Sequence, residues 1–229
     1  MSAAESTSES IPDAAAPVFG PGLDGAVSFI ELLRAEGVMR GVIGPRELDR
    51  LWDRHLLNSA VLAEQIPDRS RVVDVGSGGG FPGVPLALAR PDIAITLLEP
   101  MARRIEWLRE AVERLGLVNV DVVRGRAEER PIRDSLAGAD VVTARAVAPL
   151  AKLAGWCLPL VRTGGVLLAL KGASAEEEIV RDAAAVRSAG GDKPSILRCG
   201  VGVIESPITV VSVAKRDHGA GVRTRGKRK

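Results

Sequence analysis

The sequence predicts an α/β protein: a doubly wound, mostly parallel seven-stranded sheet with helices on both faces and a small helical N-terminal cap. Three observations carry that prediction. From Arg71 onward, short apolar and β-branched runs alternate with stretches of helical periodicity. The first run ends in a burst of glycines, VVDVGSGGGFPG at 72–83, the kind of turn that joins a strand to a helix in such folds. Ahead of it, apolar residues recur at helical spacing alone.

Residues 1–22 are rich in Ser, Ala, Pro and Gly and are expected to be disordered. Residues 23–66 form the cap: Val27, Ile30, Leu33 and Val38 make one apolar face, and Leu48, Leu51, Leu56 and Val61 another. Gly44-Pro45 divides the two, with Pro45 well placed at a helix start. The main domain, 67–216, opens with RVVDV (71–75) and a helix over 82–90 that Pro91 stops. IAITLLE (93–99) precedes a helix over 102–116, where Ile105, Leu108, Val112 and Leu115 share a face. VDVV (120–123), DVVTA (140–144), a helix near 149–161, GVLLAL (165–170) and a helix over 175–189 follow. Repeated β-α-β units of this length give a parallel sheet. SILRCGV (195–201) and ITVVSVA (208–214) have no obvious helix between them, so an antiparallel hairpin is expected to close the sheet. A basic tail, 217–229, ends the chain.

Composition narrows the function. Apolar residues make up 46% of the 229, against disorder. The longest apolar run, VLLAL at 166–170, is far too short to cross a bilayer, and the start lacks the basic and apolar regions of a signal peptide. Cys157 and Cys199 stand alone, so no metal site and no disulfide framework is indicated; a reducing cytoplasm suits them. Net charge is +2, yet GVRTRGKRK at the end carries five bases and no acid. That tail reads equally as a solubilising segment or as an arm that neutralises phosphates by counterion release.

Two ligands compete for the glycine loop. A dinucleotide fingerprint wants a third glycine where Phe81 stands. The pattern present is D-x-G-x-G-x-G, running from Asp74 through Gly76, Ser77 and Gly78 to Gly80, and it resembles motif I of the class I S-adenosylmethionine-dependent methyltransferases. Adenosylmethionine has an ammonium, a carboxylate and a sulfonium but no phosphate. Asp74 is expected to bond the ammonium, directly or through water, while the following helix N-terminus faces the carboxylate. Glu99, ending the second strand, can accept from both ribose hydroxyls. Ala127-Glu128 stand where methyltransferases grip the adenine amino group.

The acceptor is approached by exclusion, because the fold serves many. After the fourth strand the chain reads TARAVAPL, without the Asn/Asp-Pro-Pro-aromatic motif of exocyclic-amine methylation. Cys157 has apolar neighbours that suit packing rather than nucleophilic attack. The ends of strands four and five instead carry cations, Arg145 and Lys171, which read as ligand-facing groups or as snorkelling strand ends. Cations without an evident general base suit an acceptor that already holds a free lone pair, such as guanine N7.

At this point the resemblance becomes specific. LWDRHLLNS (51–59), VVDVGSGGGFPGVPLA (72–87), LLEP..RRIEWL (97–108), GRAEE (125–129), TARAVAPL (143–150) and LALKG (168–172) occur in the order found in the RsmG (GidB) family, over about residues 23–215. The resemblance implies methyl transfer from S-adenosylmethionine to a guanine N7 in bacterial 16S ribosomal RNA, with the small ribosomal subunit as partner. It implies cofactor contacts at Gly76, Phe81, Ala127, Glu128 and Arg145, and an RNA-facing or catalytic surface including Lys171, Arg126 and His55. His55 reads equally as a capped core residue. The family often has Asp where this chain has Asn58 and Glu99. A monomer without metal or membrane is expected. Arg103 and Arg104 read as a solvated helix face, and Trp52, Trp107 and Trp156 as core. Rival functions are methylation of another base or a small molecule, a nicotinamide oxidoreductase disfavoured by Asp74 and Phe81, and a ribosome-associated binding module without turnover.

Overall fold

Alternation along the strands decides what each face of the sheet buries. In β1 (Arg71–Val75), Val72 packs with the N-terminal helices while Val73 and Val75 join a second core on the opposite face. β2 (Ala94–Glu99), β3 (Val120–Arg124), β4 (Ala139–Arg145), β5 (Val161–Lys171), β6 (Ser195–Cys199) and β7 (Ile208–Ala214) complete a single sheet. The computed structural model describes residues 10–217, and the strand order is β3-β2-β1-β4-β5-β7-β6. β1 to β5 run parallel; β7 is antiparallel to β5 and to β6, the expected terminal hairpin. Strand order reverses between β1 and β4, so the crevice of this fold opens at their carboxyl ends.

The cap begins earlier than the composition of the first residues suggests. Helix α1 (Ala15–Phe19) buries Ala15 and Phe19, and Phe19 meets Trp52 edge-on at 6.3 Å. The expectation of disorder over 1–22 is therefore corrected for residues 10–22. One buried aromatic anchors a segment whose overall composition looks unfoldable, contributing roughly 1.5–3 kcal/mol by burial. Residues 1–9, and the basic tail from His218 on, lie outside the described residues.

α2 (Leu23–Leu32) continues into a π-helical turn over Leu33–Gly37. After Gly44, a 3₁₀ turn (Pro45–Arg50), a π-helical stretch (Leu51–Leu57), α3 (Asn58–Ala60) and a second 3₁₀ turn (Val61–Gln65) complete the cap. With α4 (Gly83–Ala89) and α5 (Ala102–Arg114) they cover one face of the sheet. α6 (Arg130–Leu136), α7 (Leu150–Cys157), α8 (Ala175–Arg181) and α9 (Ala183–Ser188) lie on the side of the second core. α6 was not expected from the sequence; Pro131 in its first turn, with Ile132 and Leu136 packing on the second core, is the signal for it. The single helix expected over 175–189 is broken at Asp182, whose carboxylate turns away to accept the Ala151 N–H at 3.0 Å. The helix near 149–161 is shorter than expected because β5 already begins at Val161, pairing with Ala139 across a register shift.

Candidate functional site

A cleft of about 750 Å³ opens at the carboxyl ends of β1, β2 and β4. Its wall is the glycine loop: Gly76, Ser77, Gly78, Gly79 and Phe81 all line it. Gly76 and Gly78 have φ of +74° and +56°, backbone that a side chain resists. A Cβ on Gly76 would also come within 2.8 Å of Val147 Cγ2, whereas one on Gly78 would find nothing nearer than 3.8 Å. The loop therefore leaves open space above its second glycine.

Strand parity then sorts the two acids. Asp74 shares the face of Val72 and lies fully buried beneath the loop, not on the cleft wall. Its Oδ2 accepts the Gly83 N–H at 3.1 Å, and Oδ1 has no partner. In this position the carboxylate fastens the start of α4 to the strand. That also takes one N–H of the helix N-terminus that was expected to face the ligand's carboxylate, and Val84 donates to Gly80 O instead. Burial pushes the Asp74 carboxyl up to about 7, against the Gly83 hydrogen bond and the Arg145 charge.

Glu99 ends β2 on the same face and does line the cleft. Oε2 accepts from Gly78 N–H and Oε1 from Met101 N–H, each at 3.0 Å, so the carboxylate ties the glycine loop to the turn after β2. Each oxygen keeps a further lone pair for a diol. Ala127 is buried in the cleft wall and Glu128 exposed at its edge, as is Arg126. Arg104, expected on a solvated helix face, lines the cleft and pairs with Glu99 at 3.7 Å. Its Nε is buried without a partner, so the cleft holds an unmatched donor as well as an unmatched acceptor close behind it. Trp52 and Trp107 are core; Trp156 is half-buried and forms part of the wall.

Arg145 ends β4 facing the cap, in register with Leu170 of β5. Its guanidinium donates to Ser59 Oγ (3.1 Å), to Arg54 O (2.8 Å) and to His55 Nδ1 (3.1 Å), and lies 5.5 Å over the Phe81 ring. His55 also stacks on Phe81 at 4.8 Å, and its Nε2 meets Glu47 Oε2 at 2.8 Å. His55 is thus a cleft-wall residue and not a capped core one. Burial and the Arg145 charge hold its imidazole below the usual pKa. Glu47, outside every motif, and Arg54, inside LWDRHLLNS but given no role there, line the cleft beside it.

Lys171 stands apart. Leu170 shares the face of Arg145, so Lys171, one residue on, faces the opposite side. Its ammonium is nearly buried and donates to Ala148 O and Glu178 Oε2, both at 2.8 Å. Glu178 Oε2 also accepts the Leu150 N–H, so Lys171 pins the turn between β4 and α7. It lines a second cavity of about 890 Å³ together with Asn58, Arg54, Arg145 and Arg198. Arg145, Ala146 and Val147 line both cavities, and Ala146 has a φ of +52°. Cys157 is wholly buried, its thiol pushed up to about 12 by that burial, which removes it as a nucleophile.

A protein-family model described as GidB, rRNA small subunit methyltransferase G, matches residues 23–205. The chain belongs to this family. A Corynebacterium efficiens protein called ribosomal RNA small subunit methyltransferase G is 51% identical over 204 residues, covering 89% of this chain and 88% of that one. Its namesake from Salinispora tropica is 56% identical over 207 residues, covering 88% and 85%. Among solved structures, the apo form of the S-adenosylmethionine-dependent methyltransferase SibL superposes with a TM-score of 0.57 at 19% identity, covering 88% of this chain and 74% of that one. Aeropyrum pernix fibrillarin with natively bound S-adenosyl-L-methionine gives 0.52 at 18%, covering 70% and 75%. At those identities the structural matches speak to fold: this chain has the class I methyltransferase architecture.

Proposed function

We propose that this chain transfers a methyl group from S-adenosylmethionine to N7 of a guanine in 16S ribosomal RNA. Family membership over 23–205 supports the RNA of the small subunit. The observation that carries the atom is that the cleft's imidazole has both nitrogens engaged, by Arg145 and by Glu47, with no basic nitrogen spare to take a proton. An acceptor that needs deprotonation is poorly served there; a purine N7, with its own lone pair, is not.

The residues fit the donor. Glu99 is the acid for its ribose, Ala127 and Glu128 flank its base, and Gly76 to Phe81 give the close backbone approach. When bound, adenosylmethionine supplies a methyl on a sulfonium, which N7 takes in one displacement as the carbon–sulfur bond breaks. The chain's work is positional. Arg145, lining both cavities, holds the acceptor's edge by its remaining N–H groups; Arg126 and Arg198 neutralise phosphate at the rim. Lys171 acts from behind by holding the turn that carries Ala146. We propose a monomer, and the two buried free cysteines suit the cytoplasm. No helix among the described residues is long and apolar enough to cross a membrane.

The test is methyl transfer to undermethylated small subunits and to the stripped RNA, followed by digestion and identification of the nucleoside by mass. N7-methylguanosine is the expected product. A different methylated nucleoside, or transfer only to a small molecule, would overturn the proposal.

A further inference from the structure

Glu47 sits in the 3₁₀ turn of the cap, eight residues before His55, and belongs to none of the motifs that mark the family resemblance. It is the carboxylate among a cluster of bases. Its Oε2 meets His55 Nε2 at 2.8 Å and Arg54 Nε at 3.1 Å, and the charge of Arg50 also acts on it. On the far side of the imidazole, Nδ1 meets the Arg145 guanidinium at 3.1 Å. A guanidinium has no acceptor, so Nδ1 must carry the lone pair; Nε2 then carries the hydrogen and donates it to Glu47. The two partners leave only one neutral tautomer with both hydrogen bonds made. Protonation would turn Nδ1 into a donor facing a donor.

We infer that Glu47 is a positioning residue for methyl transfer: by holding His55 in the Nε2–H tautomer it fixes the direction of the Arg145 guanidinium over Phe81. This rests on the proposal that Arg145 orients the acceptor. Arg145 has other anchors in Ser59 Oγ, from α3, and in Arg54 O, from the same π-helical stretch as His55. The imidazole is the anchor that also meets the cleft's aromatic wall, 4.8 Å from the Phe81 ring over which the guanidinium lies. Glu47 therefore acts through His55, without touching the acceptor or the donor itself.

The groups that face the pair also fix the sign of its pH dependence. Glu47 favours the imidazolium, whereas burial, Arg145 and Arg54 oppose it. Wild-type kcat is expected to hold through neutrality and fall on the acid side as His55 protonates. Removing the Glu47 charge makes protonation harder, so in Glu47→Gln that acid limb moves to lower pH. The Gln amide oxygen still accepts from Nε2–H, and the plateau stays within about threefold of wild type. Glu47→Ala removes the acceptor and is expected to lower kcat about tenfold while the KM for small subunits changes less than about twofold.

Nitrogen-15 spectra of the imidazole supply a readout independent of turnover, with the second histidine, His218, assigned by elimination in His55→Asn. An Nε2–H tautomer in wild type that becomes mixed in Glu47→Ala supports the inference. An Nδ1–H tautomer in wild type, or a Glu47→Ala enzyme with wild-type kcat and an unmoved acid limb, overturns it. Should wild type make no N7-methylguanosine while the imidazole shows the expected tautomer, the failure belongs to the proposed reaction and the Glu47–His55 clamp stands as the anchor of Arg145 alone.

Discussion

The two ends of the crevice are built on opposite principles. On the β1–β2 side, contiguous residues do the work: Gly76 to Gly83 form one loop, and Asp74 and Glu99 hold it by accepting backbone N–H groups. On the β4–β5 side, cations are placed by partners far away in sequence. Arg145 is held from residues 86 and 91 positions earlier, and Lys171 is held by the turn and by α8. Acids with backbone donors suit a small zwitterionic ligand carrying a ribose. Cations spread over a broad, open cavity suit a polyanion. The turn at Ala146, with its left-handed backbone, belongs to both sides.

Breaking the hinge between the halves should have the largest effect. Arg145→Ala leaves Ser59, Arg54 O and His55 without their donor and is expected to lower kcat/KM at least about 100-fold, or ~2.7 kcal/mol. Steady-state transfer to small subunits measures it, and a loss below tenfold would show that the guanidinium is only a strut. Lys171→Ala tests the acceptor side alone. Glu178 keeps the Leu150 N–H, so the turn loosens without collapsing, and transfer should fall about tenfold.

The smallest effect sharpens the cofactor side. The folded pKa of Asp74 lies near 7, above its value of 3.8 in a model compound, so the stability tied to its protonated form is present at low pH and lost as pH rises towards and through 7. Asp74→Asn cannot ionise. Its melting temperature relative to wild type should therefore rise between pH 5 and pH 8, by roughly a few degrees. A constant difference across that range would mean that Asp74 is already ionised in the folded protein.

How much of this was legible follows from the same contrast. The loop, its two acids and a mostly parallel sheet closed by a hairpin could be read because their spacing is local. Parity was legible too, in principle: counting by twos from Val72 puts Asp74 under the loop, and Leu170 beside Arg145 puts Lys171 on the other face. Strand-end position weighed without face does not separate these two placements. Glu47 had no pattern to betray it, and the motifs that contain Arg54 and Arg104 did not say where those side chains point. The cap around His55 runs through 3₁₀ and π turns, where helical spacing no longer says which side chains meet. Phe19 shows the converse, a single buried ring overruling the composition of its neighbours.

The central claim is that donor and acceptor are divided between the β1–β2 and β4–β5 sides of the crevice. Calorimetric titration of adenosylmethionine into wild type, Glu99→Ala and Lys171→Ala measures that division most directly. The account predicts that Glu99→Ala weakens binding at least about tenfold while Lys171→Ala stays within about twofold of wild type. Equal losses in the two variants would contradict it, placing Lys171 in the cofactor site and merging the two halves into one.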